Sequence, residues 1–525
     1  MNISRRKLLL GVGAAGVLAG GAALVPMVRR DGKFVEAKSR ASFVEGTQGA
    51  LPKEADVVII GAGIQGIMTA INLAERGMSV TILEKGQIAG EQSGRAYSQI
   101  ISYQTSPEIF PLHHYGKILW RGMNEKIGAD TSYRTQGRVE ALADEKALDK
   151  AQAWIKTAKE AAGFDTPLNT RIIKGEELSN RLVGAQTPWT VAAFEEDSGS
   201  VDPETGTPAL ARYAKQIGVK IYTNCAVRGI ETAGGKISDV VSEKGAIKTS
   251  QVVLAGGIWS RLFMGNMGID IPTLNVYLSQ QRVSGVPGAP RGNVHLPNGI
   301  HFREQADGTY AVAPRIFTSS IVKDSFLLGP KFMHLLGGGE LPLEFSIGED
   351  LFNSFKMPTS WNLDEKTPFE QFRVATATQN TQHLDAVFQR MKTEFPVFEK
   401  SEVVERWGAV VSPTFDELPI ISEVKEYPGL VINTATVWGM TEGPAAGEVT
   451  ADIVMGKKPV IDPTPFSLDR FKKLNPLINE ISKIISAAGN FDVKEERAAA
   501  SLLQLSGNAS DFSYGRNSIT LTASA

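Results

Sequence analysis

Asp56-Val57-Val58-Ile59-Ile60-Gly61-Ala62-Gly63-Ile64-Gln65-Gly66 is the stretch that decides the fold. A short apolar run that stops at glycine reads as a strand buried in a parallel sheet. Apolar residues then recur at helical spacing through Ile67, Ala70, Ile71 and Ala74 to Arg76-Gly77. A second run, Ser79-Val80-Thr81-Ile82-Leu83, ends at Glu84. Strand, glycine turn, helix, strand and acid, in that order, form the context of a dinucleotide cradle. Gly61 permits the tight turn, and Gly63 lets a pyrophosphate lie on backbone N–H groups at a helix N-terminus that Ile64 and Gln65 open. Gly66 lets that helix approach the strand. Glu84, 18 positions beyond Gly66, is placed to accept hydrogen bonds from a ribose hydroxyl, with Lys85 beside it. The motif by itself does not say which dinucleotide is bound.

The rest of the chain fits an enzyme of ordinary composition. Its 525 residues suggest two or three lobes, and 42% hydrophobic with 21% charged residues is enough for a large core. A net charge of −2 and the absence of a basic stripe argue against nucleic acid as a partner. Fifty-two glycines suit a backbone that must approach a large cofactor in several places. Cys225 is the sole cysteine, so neither an internal disulfide nor a thiolate metal site can form. It lies in the strand-like run Ile221–Val227 and reads as a buried structural thiol rather than a covalent flavin anchor. The six histidines, including His113-His114, lack metal-ligand spacing, and no metal is expected.

At the N-terminus, Ser4-Arg5-Arg6-Lys7 precedes an uncharged stretch, Leu8 to Val28, long enough to span a bilayer. A twin arginine before a mildly apolar segment resembles a Tat export signal. No clean small-x-small cleavage site precedes Arg29-Arg30, which favours a retained anchor over a removed signal. The expected location is the bacterial inner membrane with the catalytic part on the periplasmic side.

Later segments carry a family resemblance. Gln92-Ser93-Gly94-Arg95-Ala96-Tyr97-Ser98-Gln99, Val201-Asp202-Pro203 and Val252-Val253-Leu254-Ala255-Gly256-Gly257-Ile258-Trp259-Ser260 resemble, in order, segments of the glycine oxidase/D-amino acid oxidase family of FAD oxidoreductases. Arg406-Trp407-Gly408, Pro413–Pro419 and Trp438-Gly439-Met440-Thr441-Glu442-Gly443-Pro444 continue the likeness to about residue 460. The Tat-like anchor, Arg134–Leu142 and an insertion after residue 318 are similar to the branch of membrane-bound L-amino acid deaminases of enteric bacteria. The resemblance implies non-covalent FAD. It places Ser93, Gly94, Arg95 and Gln99 along the pyrophosphate and flavin, Val227 at the adenine, Gly256 and Gly257 at the later turn, and Gly439, Met440 and Thr441 over the pyrimidine edge.

The expected fold is α/β. A discontinuous Rossmann-type FAD-binding domain (about 54–135, 200–265 and 405–460) is joined to an antiparallel-sheet substrate domain (about 136–199 and 266–404). A helical insertion (319–379), an N-terminal membrane helix (1–30), a linker (31–53) and a tail (474–525) complete the chain. The expected reaction is FAD-dependent oxidative deamination of L-amino acids with bulky neutral side chains to 2-oxo acids and ammonia. Electrons would pass to a quinone or cytochrome of the respiratory chain. Two alternatives stay open: another flavin amine oxidoreductase of the same fold, such as a D-amino acid dehydrogenase or glycine/sarcosine oxidase, and a non-catalytic membrane-anchored flavoprotein.

Hydride removal from Cα requires a fixed cation for the substrate carboxylate, and a guanidinium fork suits it. Arg315 is the expected clamp, with Arg282 as the second choice. Gln99 is placed to hydrogen-bond near the ring. By resemblance, Leu278, Phe317, Val411, Val437 and Trp438 line the side-chain pocket. In the insertion, apolar residues beside glycines (Phe326–Gly329, Phe332–Gly339, Leu351-Phe352) read either as a surface that lies on membrane lipid or as a packed lid. The tail turns Ser/Ala/Asn-rich and suggests no function. Oligomeric state is not legible.

Overall fold

The short run Val57–Ile60 becomes the middle of a twisted sheet because no position along it is polar and none is solvent-exposed. The structure, a computed structural model, describes residues 27–28, 34–161, 167–332 and 343–472. In spatial order this first sheet runs Lys220–Tyr222, Val80–Leu83, Val57–Ile60, Val252–Leu254, Leu430–Thr434 and Ile420–Glu423. The first five strands are parallel and the last is antiparallel. Helix Ile64–Glu75 covers it, and helices Pro203–Gln216 and Gly439–Val454 pack on that helix. Val57, Ile59, Ile67, Ile71, Ile82 and Val253 form the core between them. Each such buried side chain contributes about 2 kcal/mol. An adjoining three-stranded antiparallel sheet, Val227–Ala233, Lys236–Ser242 and Gly245–Lys248, completes this half.

The second sheet has eleven strands among the described residues, mostly in antiparallel pairs, with three parallel pairings. Its registers set Arg138 and Glu140 beside Asn293 and His295, which lie opposite Arg303 and His301; Arg303 in turn lies opposite Ala311. Ala311 lies opposite Arg282, and the strand Val276–Val283 continues the row with Gln280 and Leu278 against Trp407 and Ala409. Side chains alternate along a strand, so this row shares one face. The other face is apolar: Val139, Phe194, Val283, Val294, Phe302 and Val312 pack with Val387, Phe388 and Met391 of helix Thr381–Glu394. One sheet thus has a greasy back and a polar front. The front carries Gln280 and Trp407, whose side chains both donate to the carbonyl of Arg95 in the first half.

Two expectations need correction. Val403–Val411, read from residue 405 as part of the nucleotide half, instead pairs along the whole of Val276–Val283 in the second sheet, exposed at its first residues and buried from Trp407 on. The insertion is not purely helical. Strand Leu343–Ser346 extends the second sheet beside Phe317–Ser320, between helices Lys323–Phe332 and Glu349–Lys356, and Ala375–Ala377 pairs with Phe34–Glu36. The glycine-rich segment after Phe332 lies outside the described residues. So does the expected membrane helix, except that Met27–Val28 forms a strand against Phe345–Ser346. No helix among the described residues is long and apolar enough to cross a membrane.

Candidate active site

The glycine turn is built for close approach. Gly61 has φ +106°, and a Cβ there would stand 2.4 Å from the carbonyl oxygen of Ala255. At Gly66 a Cβ would stand 2.1 Å from the carbonyl oxygen of Gly61, so helix and strand can meet only without side chains at both positions. The helix beginning at Ile64 has no side-chain cap and no acid in its first turn, which leaves its positive end open to an anion. Ser93 Oγ accepts from the Ile64 N–H at 2.9 Å, bringing the Ser-Gly-Arg segment onto the turn. Gln65, in the same turn, is buried, and among the described residues neither atom of its amide has a hydrogen-bond partner. Polar atoms enclosed without partners cost free energy unless a ligand meets them. The acid-free helix end, the orphaned amide and the glycine turn all fit a bound dinucleotide.

Around this turn the other expected cofactor residues converge. The N-terminus of helix Gly439–Val454 reaches the same place: a Cβ on Gly439 would lie 3.9 Å from Gln65 Nε2. Thr441 Oγ1 donates to the Gln99 carbonyl at 2.9 Å, and Trp120 Nε1 donates to the Met440 carbonyl at 2.6 Å. Gly256 and Gly257 follow the strand whose Ala255 meets Gly61. Gly94 is buried beside Ala89, and Arg95 is held by the Lys38 carbonyl with its Nε unpartnered. Burial and the neighbouring Arg40 pull Arg95 down to about 10, which leaves it charged at neutral pH. Glu84 sits at the strand end, where its carboxylate accepts from the N–H groups of Ala62 (2.8 Å) and Gly86 (2.7 Å), and burial pushes its pKa up. The backbone before Val227 lies alongside, through the Cys225 N–H to the Glu84 carbonyl. Lys85 is different. Its ammonium donates to Glu91 and to the carbonyls of Phe372 and Arg373, so all three of its N–H groups are in use and only its backbone is free for a nucleotide. Cys225 is fully buried beside Ser242, as expected of a structural thiol.

The polar front of the second sheet supplies the substrate side. Leu278 and Val411 stand on it by register, and so does Phe317, since Thr318 is opposite Tyr277 on the other face. Val437 and Trp438 come from the first half, at the entry to helix Gly439–Val454. The Trp438 ring lies 6.4 Å from His113, which pairs with Glu442 at 3.2 Å. The two candidate clamps separate cleanly. Arg282 is already neutralised by Glu204, with Asp307 at 3.8 Å. Arg315, in the turn between Tyr310–Val312 and Phe317–Ser320, makes no ion pair or hydrogen bond among the described residues.

Sequence reasoning missed the company Arg315 keeps. The rings of His295 and His301 lie with centroids 3.7 Å apart and planes tilted by 56°, and Tyr97 lies 4.2 Å from His301. Burial, reinforced by the charges of Arg138 and Arg315, holds both imidazoles well below their ordinary pKa. Arg138 is paired with Glu140, and Arg303 with Asp202. The charge of Arg315 alone in this cluster has no counterion. A signal existed in the sequence: Pro297-Asn298-Gly299 between two histidines six residues apart marks a hairpin that makes them cross-strand partners.

The neutral pair has a consequence for stability. The unfolded rings titrate near pH 6.5, so below that value the unfolded chain binds protons that the folded chain refuses. Stability is complete above pH 6.5 and is lost as pH falls toward the depressed folded values, by about 1.4 kcal/mol per pH unit for each ring. Denaturation midpoints at pH 7.5, 6.5 and 5.5 are expected to fall steeply over the last interval, and about half as steeply in His301→Asn.

The family of FAD dependent oxidoreductases called DAO matches residues 56–453. The structure of L-amino acid deaminase from Proteus myxofaciens in complex with anthranilate is 94% identical, with a TM-score of 0.84 over 85% of this chain and 100% of that one. L-amino acid deaminase from Proteus vulgaris is 60% identical, with a TM-score of 0.81 over 82% of this chain and 100% of that one. A stretch of 52 residues, 10% of this chain, is 94% identical to a plasmid hemolysin of Escherichia coli and spans only 5% of that protein. The tail 474–525 has the same length and lies outside the family match. A glycine cradle with an unpartnered amide, faced by a polar sheet with one unneutralised arginine, is thus set in a chain that belongs to the DAO family of FAD-dependent oxidoreductases.

Proposed function

We propose that this enzyme oxidises L-amino acids with bulky neutral side chains to 2-oxo acids and ammonia. The observation that carries the reading is Arg315, a cation without a counterion beside two neutral imidazoles, on the sheet face that also presents Leu278 and Phe317. The 94% identity to an L-amino acid deaminase, whose bound anthranilate carries a carboxylate beside an amine, supports the same chemistry.

FAD, when bound, takes up the hydride that leaves the substrate's α-carbon. The protein's part is to hold and aim. The first turns of helices Ile64–Glu75 and Gly439–Val454, with Ser93, Gly94 and Arg95, would seat the dinucleotide. Gly61, Gly63, Gly66, Gly256 and Gly257 would let it lie on backbone, with Glu84 and the backbone at Val227 at the adenosine end. Arg315 pairs the carboxylate bidentately and fixes the direction of the Cα–H bond. Leu278, Phe317, Val411, Val437 and Trp438 receive the side chain. No protein base is required, because the ammonium can lose its proton to solvent before hydride transfer. The imino acid that results is hydrolysed by water to the oxo acid and ammonia.

A quinone or cytochrome as electron acceptor and a periplasmic-side inner-membrane location belong to the same proposal. Their support is the twin-arginine segment and apolar stretch at the N-terminus, with the half-exposed Phe352 and Phe355 on helix Glu349–Lys356 of the insertion as a surface for lipid. Anaerobic bleaching of the yellow chromophore tests the function. L-phenylalanine is expected to bleach it and D-phenylalanine to leave it oxidised; the reverse result would assign the enzyme to D-amino acids. Peroxide formed in air at a rate matching oxo acid would replace the respiratory acceptor with oxygen.

A further inference from the structure

The polar front of the large sheet holds a run of hydrogen bonds that the proposed reaction does not use. A terminal nitrogen of Arg138 lies 3.2 Å from His295 Nδ1. A guanidinium can only donate, so Nδ1 accepts, and a neutral imidazole that accepts there carries its proton on Nε2. Nε2 in turn lies 3.1 Å from Gln99 Oε1 and 2.8 Å from Gln99 Nε2. Only the amide oxygen can accept from an N–H. The amide is therefore set with its oxygen on the histidine, and its NH2 is left for another partner.

The groups that face His295 offer none. Glu140 is taken by Arg138, and His301 lies tilted against the ring. Arg303 is paired with Asp202, and Arg315 is a cation. Gln99 is 3% exposed, so bulk water does not serve its NH2 either. Gln99 and Arg315 both border the same imidazole: one is hydrogen-bonded to it, and the other is near enough for its charge to bear on it. A ligand oxygen shared by the guanidinium and the amide would satisfy both.

We propose that Arg138 and His295 are positioning residues that hold the Gln99 amide with its NH2 facing the substrate, where it donates to the carboxylate held by Arg315. The proposal rests on the reading of Arg315 as the carboxylate clamp. It makes recognition of the acid a two-donor affair and assigns the buried Arg138–His295 pair to orienting the second donor. Because the bond to the carboxylate exists before and during hydride transfer, its loss should raise KM far more than it lowers kcat.

The experiment uses the full chain loaded with FAD and has two readouts. In protein carrying 15N-histidine, His295, assigned by its absence from His295→Gln, is expected to show the Nε2–H tautomer unchanged from pH 6 to pH 8. This measurement needs no destabilising substitution. Calorimetric binding of anthranilate is expected to weaken roughly five- to tenfold in both Gln99→Leu and His295→Phe. It should weaken no further in the double variant and recover in His295→Gln, whose amide can donate in place of Nε2–H. Arg138 is tested as Arg138→Met/Glu140→Gln, which avoids stranding a buried carboxylate, with Arg138→Lys as the conservative rescue. An Nδ1–H or charged His295 overturns the proposal. So does wild-type affinity in His295→Phe when Arg315→Ala has lost binding. Full affinity in Arg315→Ala overturns the clamp itself, and this assignment with it.

Discussion

Arg315→Ala is expected to lower kcat/KM for L-phenylalanine roughly 10²- to 10³-fold, a loss of about 3–4 kcal/mol. The size follows from the surroundings. Arg315 has no protein counterion, and the imidazoles beside it are neutral, so a bound carboxylate would find no other unneutralised cation in the cluster. Removing the guanidinium takes away both the charge and the direction of the Cα–H bond, so kcat should fall along with affinity. Arg315→Lys should recover part of the binding and less of the rate, since a point charge attracts a carboxylate without fixing its plane. FAD content should not change. Rapid-reaction measurement of anaerobic bleaching separates the two effects. A variant that bleaches at the parent's rate would remove Arg315 from the site and leave the cluster's charge without a purpose.

The second large effect is on the cofactor. Gly61→Val is expected to yield protein that is colourless after purification, releases no adenine dinucleotide on heating and has no activity. The substitution fails twice. The backbone at φ +106° is strained for any side chain, and the new Cβ would press within 2.4 Å of the Ala255 carbonyl in the neighbouring strand. That strand leads into Gly256 and Gly257, so displacing it disturbs both sides of the cradle. Absorbance at the flavin bands relative to protein absorbance gives the answer directly. A variant that stayed yellow would show that the turn can relax without losing its ligand.

The nucleotide half was legible because its evidence is local. Strand, turn, helix and acid occupy fewer than thirty consecutive positions, and Gly61 and Gly66 each meet a backbone oxygen as the motif anticipates. The substrate half was legible only in part. Arg138, His295, His301 and Arg303 come from three strands, and only sheet register brings them to one face. Choosing between Arg282 and Arg315 was equally beyond the sequence, since nothing local says that Glu204, far away along the chain, neutralises the first. Lys85 looked like a nucleotide contact by position, yet carbonyls from residues 372 and 373 capture its ammonium. Val403–Val411 was drawn to the nucleotide half by its place in the chain, since nothing local says that its partner is the distant strand Val276–Val283.

The interleaving of the parallel sheet has an effect on biosynthesis. Its central strand, Val57–Ile60, leaves the ribosome early, but the strand beyond its neighbour Val252–Leu254 is Leu430–Thr434, about 370 positions later. A nascent chain therefore carries unsatisfied apolar β-segments for most of its elongation time, the situation in which long-range pairing is slow and association between unfinished molecules is most dangerous. Chains that terminate prematurely anywhere before helix Gly439–Val454 should accumulate as insoluble, flavin-free material rather than as a smaller working oxidase.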